Sequence, residues 1–588
     1  MVGRTWLRLK QSVWLALPYA AGMTGFLLLL ALLNPFGLAL GAETESKALW
    51  QKLIAPYYGD SDGEDRGRTA ITVVLVDDRA RQEMTRAGPF NAMAIAQMIE
   101  DIVDVPKEGR PAAVFVDLLL GDLAPAGIDV DALVPQASEA AVVSACNGIQ
   151  AGAPTKPIVV KSPFRCLLIR VATLTEWKKW RDDQSCFETP IAKLRCIRKA
   201  GGIPIIFADP GRVFDPVTGD ELVSQGLLAL DRVALTASVR VDLEKGYPLL
   251  TETADDKFPA KLSAAALLYA DYCDRVGCNP SPVPAILPAG NDQAGGWNPA
   301  FTRNLDVIWG EGIRSGFTNR MALRRGVPAT PCVADKTGIC VAPYECAAST
   351  PGLRQQGRAF LTGLFSGVKI DPTISAIDTR CLHTHWLSFS LFEFLSLEEH
   401  VLAFDRCIVL IGGSLANDND VVAAGPLGGL PGVFYHAMAL DNLIRYGRYY
   451  ATVATPILPW FDVTGTDLAN LALVFITTLI TAMVMQWLAG HVPVLRSPRF
   501  WAKRLVLFLA IVGGLLVMLF VIASLGPIIP NGFNIAGLLV TGLICAKDIG
   551  SRMFEPAWDL AKARWRWLAY LSLDGIGKFT KSTAAGDS

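Results

Sequence analysis

Residues 406–450 read RCIVLIGGSLANDNDVVAAGPLGGLPGVFYHAMALDNLIRYGRYY. Cys407 to Ile411 is an apolar, β-branched run too short for a helix. It meets Gly412, Gly413 and Ser414, where a buried strand has to turn. The polar segment Asn417-Asp418-Asn419-Asp420 follows, and then a Gly/Pro-rich passage. From Val433 onward Ala437, Leu440, Leu443 and Ile444 recur at helical spacing. A core strand, a polar loop, a glycine turn and a helix make an α/β pattern.

The same grammar opens the chain. Ile71 to Val76 is a continuous strand-like run ending at Asp77-Asp78, Phe90 to Val103 carries helix-spaced Met93, Ile95, Ala96, Ile99 and Val103, and Ala112 to Val116 ends at Asp117. Strand–Asp, helix, strand–Asp predicts a βαβ unit in a parallel, buried sheet with its loops at the carboxyl edge. Further strands are predicted at Pro157 to Val160, Leu167 to Val171, Ile203 to Ala208 and Val233 to Val239, and an Ala-rich helix at Leu262 to Tyr269.

VVLVDD (73–78), VFVDLLL (114–120), IVLIGGS (408–414), Asp420 and GPLGGLPGVFYHAMALDNLI (425–444) resemble the type-two CHASE family. That family comprises extracellular sensory domains usually carried by bacterial adenylate cyclases, histidine kinases and serine/threonine kinases. RVALTASVRVDLEKGYPLL (232–250) resembles the middle of the family, although an arginine-bearing turn usual there is here Glu244-Lys245-Gly246. The resemblance covers about Ile71 to Tyr450 and implies a CHASE type 2 like α/β extracytoplasmic domain that detects an unknown signal. It is interrupted at about 273–383 by a Gly/Pro/Cys-rich block. This block is too long for an ordinary connection and is read as an insertion.

Composition sets the compartment. The 588 residues are 51% hydrophobic, with mean hydropathy +0.34, which is too apolar for an ordinary soluble chain. Lys+Arg 54 against Asp+Glu 55 leaves no basic field, so nucleic acid is not an expected partner. Of 12 cysteines, all but Cys545 fall between Cys146 and Cys407. Cys186 and Cys196, Cys273 and Cys278, and Cys332, Cys340 and Cys346 sit in loop-rich sequence, which suits disulfides in an oxidising space. The odd number in that region predicts one thiol or intermolecular bridge, so a homo-oligomer is a candidate partner.

Residues 1–12 are basic, with Arg4, Arg8 and Lys10, and residues 13–40 contain the apolar run Val13 to Leu33, long enough to cross a bilayer. Ala39-Leu40-Gly41 offers a signal-peptide cleavage site, but the run exceeds the roughly 7–15 residues of such a core. A retained anchor is expected. Residues 43–466 form the predicted extracytoplasmic domain. Spans follow at 468–488, 505–525 and 528–546, with a loop at 489–504 carrying Arg496, Arg499, Lys503 and Arg504 and a basic tail at 547–588. The positive-inside rule puts that loop, the tail and the N-terminus in the cytoplasm. The expected setting is a bacterial inner membrane, multi-pass, with the large domain in the periplasm. About 40 residues after the last span are too few for an enzyme core, so output is expected to pass to a separate signalling protein. The alternative is a structural subunit of an envelope complex.

Chemistry is sparsely signalled. Gly412, Gly413 and Ser414 lack a P-loop or complete G-x-G-x-x-G pattern, and no G-x-S-x-G surrounds Ser414, so neither a nucleotide cofactor nor a nucleophilic hydrolase is expected. Asp77, Asp78, Asp117 and Asp420 follow strands or lie in the loop after one, where open α/β sheets bind ligands. Each equally suits a cap or turn. His383, His385 and His436 lack a third ligand at zinc spacing. Packing or hydrogen bonding is the expected role for the histidines; His436, near the start of the last helix of the domain, is kept with Asp77, Asp78, Asp117, Gly412, Gly413, Ser414 and Asp420 as a candidate ligand-binding residue. No catalytic residue and no metal are assigned.

Overall fold

The computed structural model describes residues 70–77, 92–103, 109–118, 163–210, 225–240, 246–251, 261–283, 297–310, 383–389, 403–414 and 429–452, with shorter pieces such as Tyr58. The chain divides into two compact units, residues 51–453 with 526–531, and residues 1–50, 454–525 and 532–588. Among the described residues no helix is long and apolar enough to cross a membrane. The runs expected to span the bilayer and the basic tail lie outside the described residues but for isolated positions.

The larger unit is built on six strands: β1 (Ile71–Asp77), β2 (Ala113–Asp117), β3 (Ile205–Asp209), β4 (Leu235–Ser238), β5 (His385–Ser388) and β6 (Ile408–Ser414). All pair in parallel, in the order β5-β1-β6-β2-β3-β4. Every residue from Ile71 to Val76 and from Ala113 to Val116 is buried, which requires cover on both faces and explains the unbroken apolar runs in the sequence. Among the described residues six helices supply that cover: α1 (Ala92–Val103), α2 (Pro163–Leu174), α3 (Pro190–Ala200), α4 (Gln225–Val233), α5 (Ala264–Val276) and α6 (Gly432–Tyr446). Helix α2 packs on α1 and α4, while α5 packs on α6 and α3.

The α/β class and the parallel sheet follow the sequence reading, with one topological addition. Strands β1 and β2 are not neighbours, because β6 lies between them and pairs along its length with both. One element differs outright. Leu167 to Val171 is not a strand but the middle of α2, where Phe164, Leu167, Leu168 and Val171 are buried at spacings of three and four. The short β-branched run there hides that longer period. Pro157 to Val160 lies outside the described residues.

Local signals set several helix ends. Thr189 caps α3 by accepting the Ala192 N–H at 3.0 Å, Pro190 occupies the first turn, and Gly201 closes the helix at φ 83°. Ser263 caps α5, and Gly277 ends it at φ 80°. Helices α3 and α5 are joined by Asp271, which is buried on α5 and accepts from Arg198 Nε at 2.8 Å and Arg275 Nε at 3.1 Å. Such a carboxylate is tolerable inside a protein only when its charge is fully paired.

Disulfides join Cys186 to Cys196 and Cys273 to Cys278, and Cys166 is disulfide-bonded as well. Cys407, buried at the head of β6, is a thiol whose S–H donates to the Asp405 carbonyl at 3.4 Å. Cys332 and Cys346 lie outside the described residues, and Cys340 begins a two-residue strand, Cys340–Val341. The block expected to be an insertion contributes to the core. Trp297, Phe301, Leu305 and Trp309 are buried, and the Phe301 ring lies 5.7 Å from that of Tyr269 on α5.

Helix α6 rests directly on the sheet centre. A Cβ placed on Gly412 would lie 2.4 Å from Val433 Cβ and 2.6 Å from its Cγ1. Gly412→Ala is therefore expected to destabilise the domain by about 1–3 kcal/mol, the usual cost of overpacking. Val433→Ala in the same chain should recover part of the loss. Denaturant unfolding of the four variants of this cycle checks it, and a Gly412→Ala chain as stable as wild type refutes it.

Candidate functional site

Five neighbouring strands end at the carboxyl edge in Asp77, Ser414, Asp117, Asp209 and Ser238. By register, Asp77 lies opposite Ser414, Gly413 opposite Val76, Gly412 opposite both Leu75 and Asp117, and Asp209 opposite Ser238. Asp77, Asp117, Gly412, Gly413 and Ser414, read from distant parts of the sequence, thus share one edge. Asp78 and Asp420 lie outside the described residues. Asp209 and Ser238 belong to the same edge and were not singled out by sequence. The available signal was the strand Ile205 to Ala208 running straight into Asp209, as β1 and β2 run into theirs. Asp209 is neutralised by an ion pair with Lys261, just before α5.

His436, in the second turn of α6, connects this edge to the interior. Its Nε2 lies 3.6 Å from Asp117 Oδ2, and its Nδ1 lies 2.8 Å from the Tyr247 hydroxyl. The tautomer follows from the partners. The Asp117 carboxylate can only accept, which puts the ring proton on Nε2, so Nδ1 accepts from the Tyr247 hydroxyl, whose oxygen also accepts the backbone N–H of Ala265 at 3.1 Å. The ring edge packs against Phe115, with centroids 5.6 Å apart.

His436 is 3% exposed, and burial lowers its pKa to about 3, so the ring is neutral across the physiological range. Burial also pushes the Tyr247 phenol well up. A neutral imidazole with one nitrogen occupied by a phenol and the other carrying a proton is poorly suited to base catalysis or metal ligation. It stands as a neutral polar neighbour of Asp117 at the sheet edge. Among the described residues the grouping of Asp183, Cys186 and Cys196 brings three residues of metal-ligating kinds together, but its two cysteines form a disulfide.

A second polar cluster lies further along α6. Asp441 accepts from the Tyr58 hydroxyl and stands 3.4 Å from His383 Nε2, two residues ahead of β5. Asn442 donates to Tyr58 Oη at 3.0 Å and to the Ile308 carbonyl at 3.0 Å, and it accepts the Ile308 N–H at 3.0 Å. Tyr58, His383, Asp441 and Asn442 are all buried. Burial works against the Asp441 charge, but His383, the Tyr58 hydroxyl and Arg445 hold the carboxyl below its ordinary value. The Arg445 guanidinium lies 5.2 Å from the Tyr58 ring centroid. Sequence reading found His383 and His385 here but missed Tyr58, Asp441 and Asn442, since 383 residues separate Tyr58 from its acceptor.

Both clusters carry measurable consequences. The folded pKa of His436 lies below the ordinary value of 6.5, so the unfolded chain binds more protons between about 3 and 6.5. Stability from the neutral ring is complete above that window and falls as pH drops through it, by about 2 kcal/mol from pH 7 to pH 5. His436→Asn, which keeps an acceptor for Tyr247, should lose distinctly less over the same interval in thermal unfolding. An equal drop in both chains refutes the assignment. Asn442→Leu strands buried partners on Tyr58 and Ile308 and should cost about 2–4 kcal/mol, read as a lower denaturant midpoint.

Comparison with known proteins gives no match: no family model, no curated protein and no solved structure matches this chain.

Proposed function

We propose that this chain is a membrane-bound extracytoplasmic sensor of the type-two CHASE kind, passing an external signal through its membrane segments to a separate signalling protein. One observation carries the reading. VVLVDD, VFVDLLL and IVLIGGS, the pieces on which the resemblance rests, are scattered between residues 73 and 414, yet they fold as the adjacent strands β1, β2 and β6. Their ends place Asp77, Ser414 and Asp117 side by side, at the edge where open α/β sheets take ligands. The disulfides of the same unit suit an oxidising compartment.

The edge has the character of a recognition surface rather than a reaction centre. His436 is locked neutral behind Asp117, a polar neighbour of a carboxylate rather than the activator of a nucleophile. A ligand at that edge changes the domain only by binding two of its states unequally. Affinity purification of the intact chain in mild detergent, with mass spectrometry and a non-reducing gel, tests the proposal. Co-purification of a kinase, cyclase or regulator is the expected result. Recovery of envelope components in fixed ratio, or of a disulfide-linked homo-oligomer alone, overturns it in favour of an assembly subunit.

A further inference from the structure

Two buried polar clusters, the edge pair and the Tyr58 cluster, are joined through a single residue. Tyr247 uses its hydroxyl to bind His436, behind Asp117, and its backbone to pair with Leu305: Tyr247 N–H to Leu305 O and Leu305 N–H to Tyr247 O, each at 2.8 Å. The 303–310 segment then reaches both ends of the domain. On the incoming side, Val307 O accepts from the Gln51 side chain at 3.1 Å, and Ile308 holds Asn442, which holds Tyr58. On the outgoing side, the Asp306 N–H donates to Ala451 O at 2.8 Å, Leu305 forms a bridge with Thr452, and the Tyr450 hydroxyl donates to Arg303 O at 2.8 Å.

We infer that Tyr247 is the joint of a relay that couples Asp117 at the carboxyl edge to the 303–310 segment, and through it clamps Gln51 and Tyr58 on the incoming chain to the outgoing chain at 450–452. The inference deepens the sensory reading and rests on it for what the relay conveys. The coupling itself is a property of this domain alone. The first step is the 3.6 Å approach of His436 Nε2 to the Asp117 carboxylate, and each later step is a direct hydrogen bond or backbone pair; the side chains of Tyr247, His436 and Asn442 are buried, so water does not substitute for a lost partner. A shift of Asp117 changes what His436 Nε2–H meets, tilts the ring against the Tyr247 hydroxyl, and bears on the Leu305 pairing.

Hydrogen exchange of the full chain in detergent, read by mass spectrometry without added signal or partner, tests the relay. Asp117→Asn removes the charge facing His436 while keeping the shape. Tyr247→Phe removes one hydroxyl and keeps the ring against Tyr435, 5.3 Å away. Asp117→Asn should speed exchange at Leu305, Asp306 and Ile308 by about fivefold, the low end of the usual coupling between two sites. In the Tyr247→Phe background it should add nothing at those positions, as coupled sites require. The inference is overturned if the effect of Asp117→Asn stops at β2 and α6, or if the two effects multiply. Protection of α3 and α5 around Asp271 reports that the variants remain folded. Should Tyr247→Phe lose that protection, His436→Asn replaces it in the cycle with the same two outcomes. Because no partner enters the measurement, failure of the relay and failure of the sensory proposal are read separately.

Discussion

The approach of Val433 to Gly412 sets the position of everything that matters in this domain. Helix α6 follows β6 in sequence, and its second residue sits where a side chain on Gly412 would be. Only a glycine strand end lets the helix lie that close, and the closeness brings His436 within reach of Asp117 on the next strand. A helix displaced outward by the thickness of a methyl group would leave His436 short of Asp117. Packing and polar chemistry at this edge therefore share one steric condition.

The polar groups inside impose a second condition. Helix α6 buries His436, Asp441 and Asn442 along a single element, and each would be costly without partners. Their partners come from Tyr58, Tyr247, Ile308 and His383, supplied by segments remote in sequence. Buried hydrogen bonds of this kind are directional, so they fix how those segments lie against the helix more narrowly than apolar packing does. The Asp271 clasp with Arg198 and Arg275 does the same for α3 and α5, and α5 in turn presents the Ala265 N–H that orients the Tyr247 hydroxyl.

Much of this architecture was legible in the sequence, for identifiable reasons. A fully buried parallel strand is a continuous apolar run, and β1, β2, β3 and β6 were each read from theirs. Helices α1 and α6 showed their period directly. Helix α2 was misread because Leu167 to Val171 is locally as strand-like as any of them, and only Phe164 reveals the longer repeat. At the edge, the Asp at the end of each strand was visible, whereas the position of β6 between β1 and β2 was not, since periodicity carries no neighbour information. The Tyr58, Asp441 and Asn442 cluster left no trace for the same reason: a tyrosine, an aspartate and an asparagine become a site only when the chain brings them together. The block after Cys273 reads as an insertion by its length and Gly/Pro/Cys content, yet Trp297, Phe301 and Leu305 are buried, with Phe301 beside α5.

The order of strands has a further consequence for how the domain is made. Strand β1 is among the first parts of the sheet to be synthesised, but both of its neighbours, β5 and β6, come more than 300 residues later. Strand β2 likewise waits for β6 on one side. Until residue 414 emerges, two of the most apolar strands in the chain have unsatisfied edges, and β6 closes both at once. Such late, long-range closure makes for slow folding and a prolonged exposure of sticky intermediates. The nascent domain should therefore depend heavily on holding chaperones, and a chain truncated before Ile408 lacks the strand on which its sheet is centred.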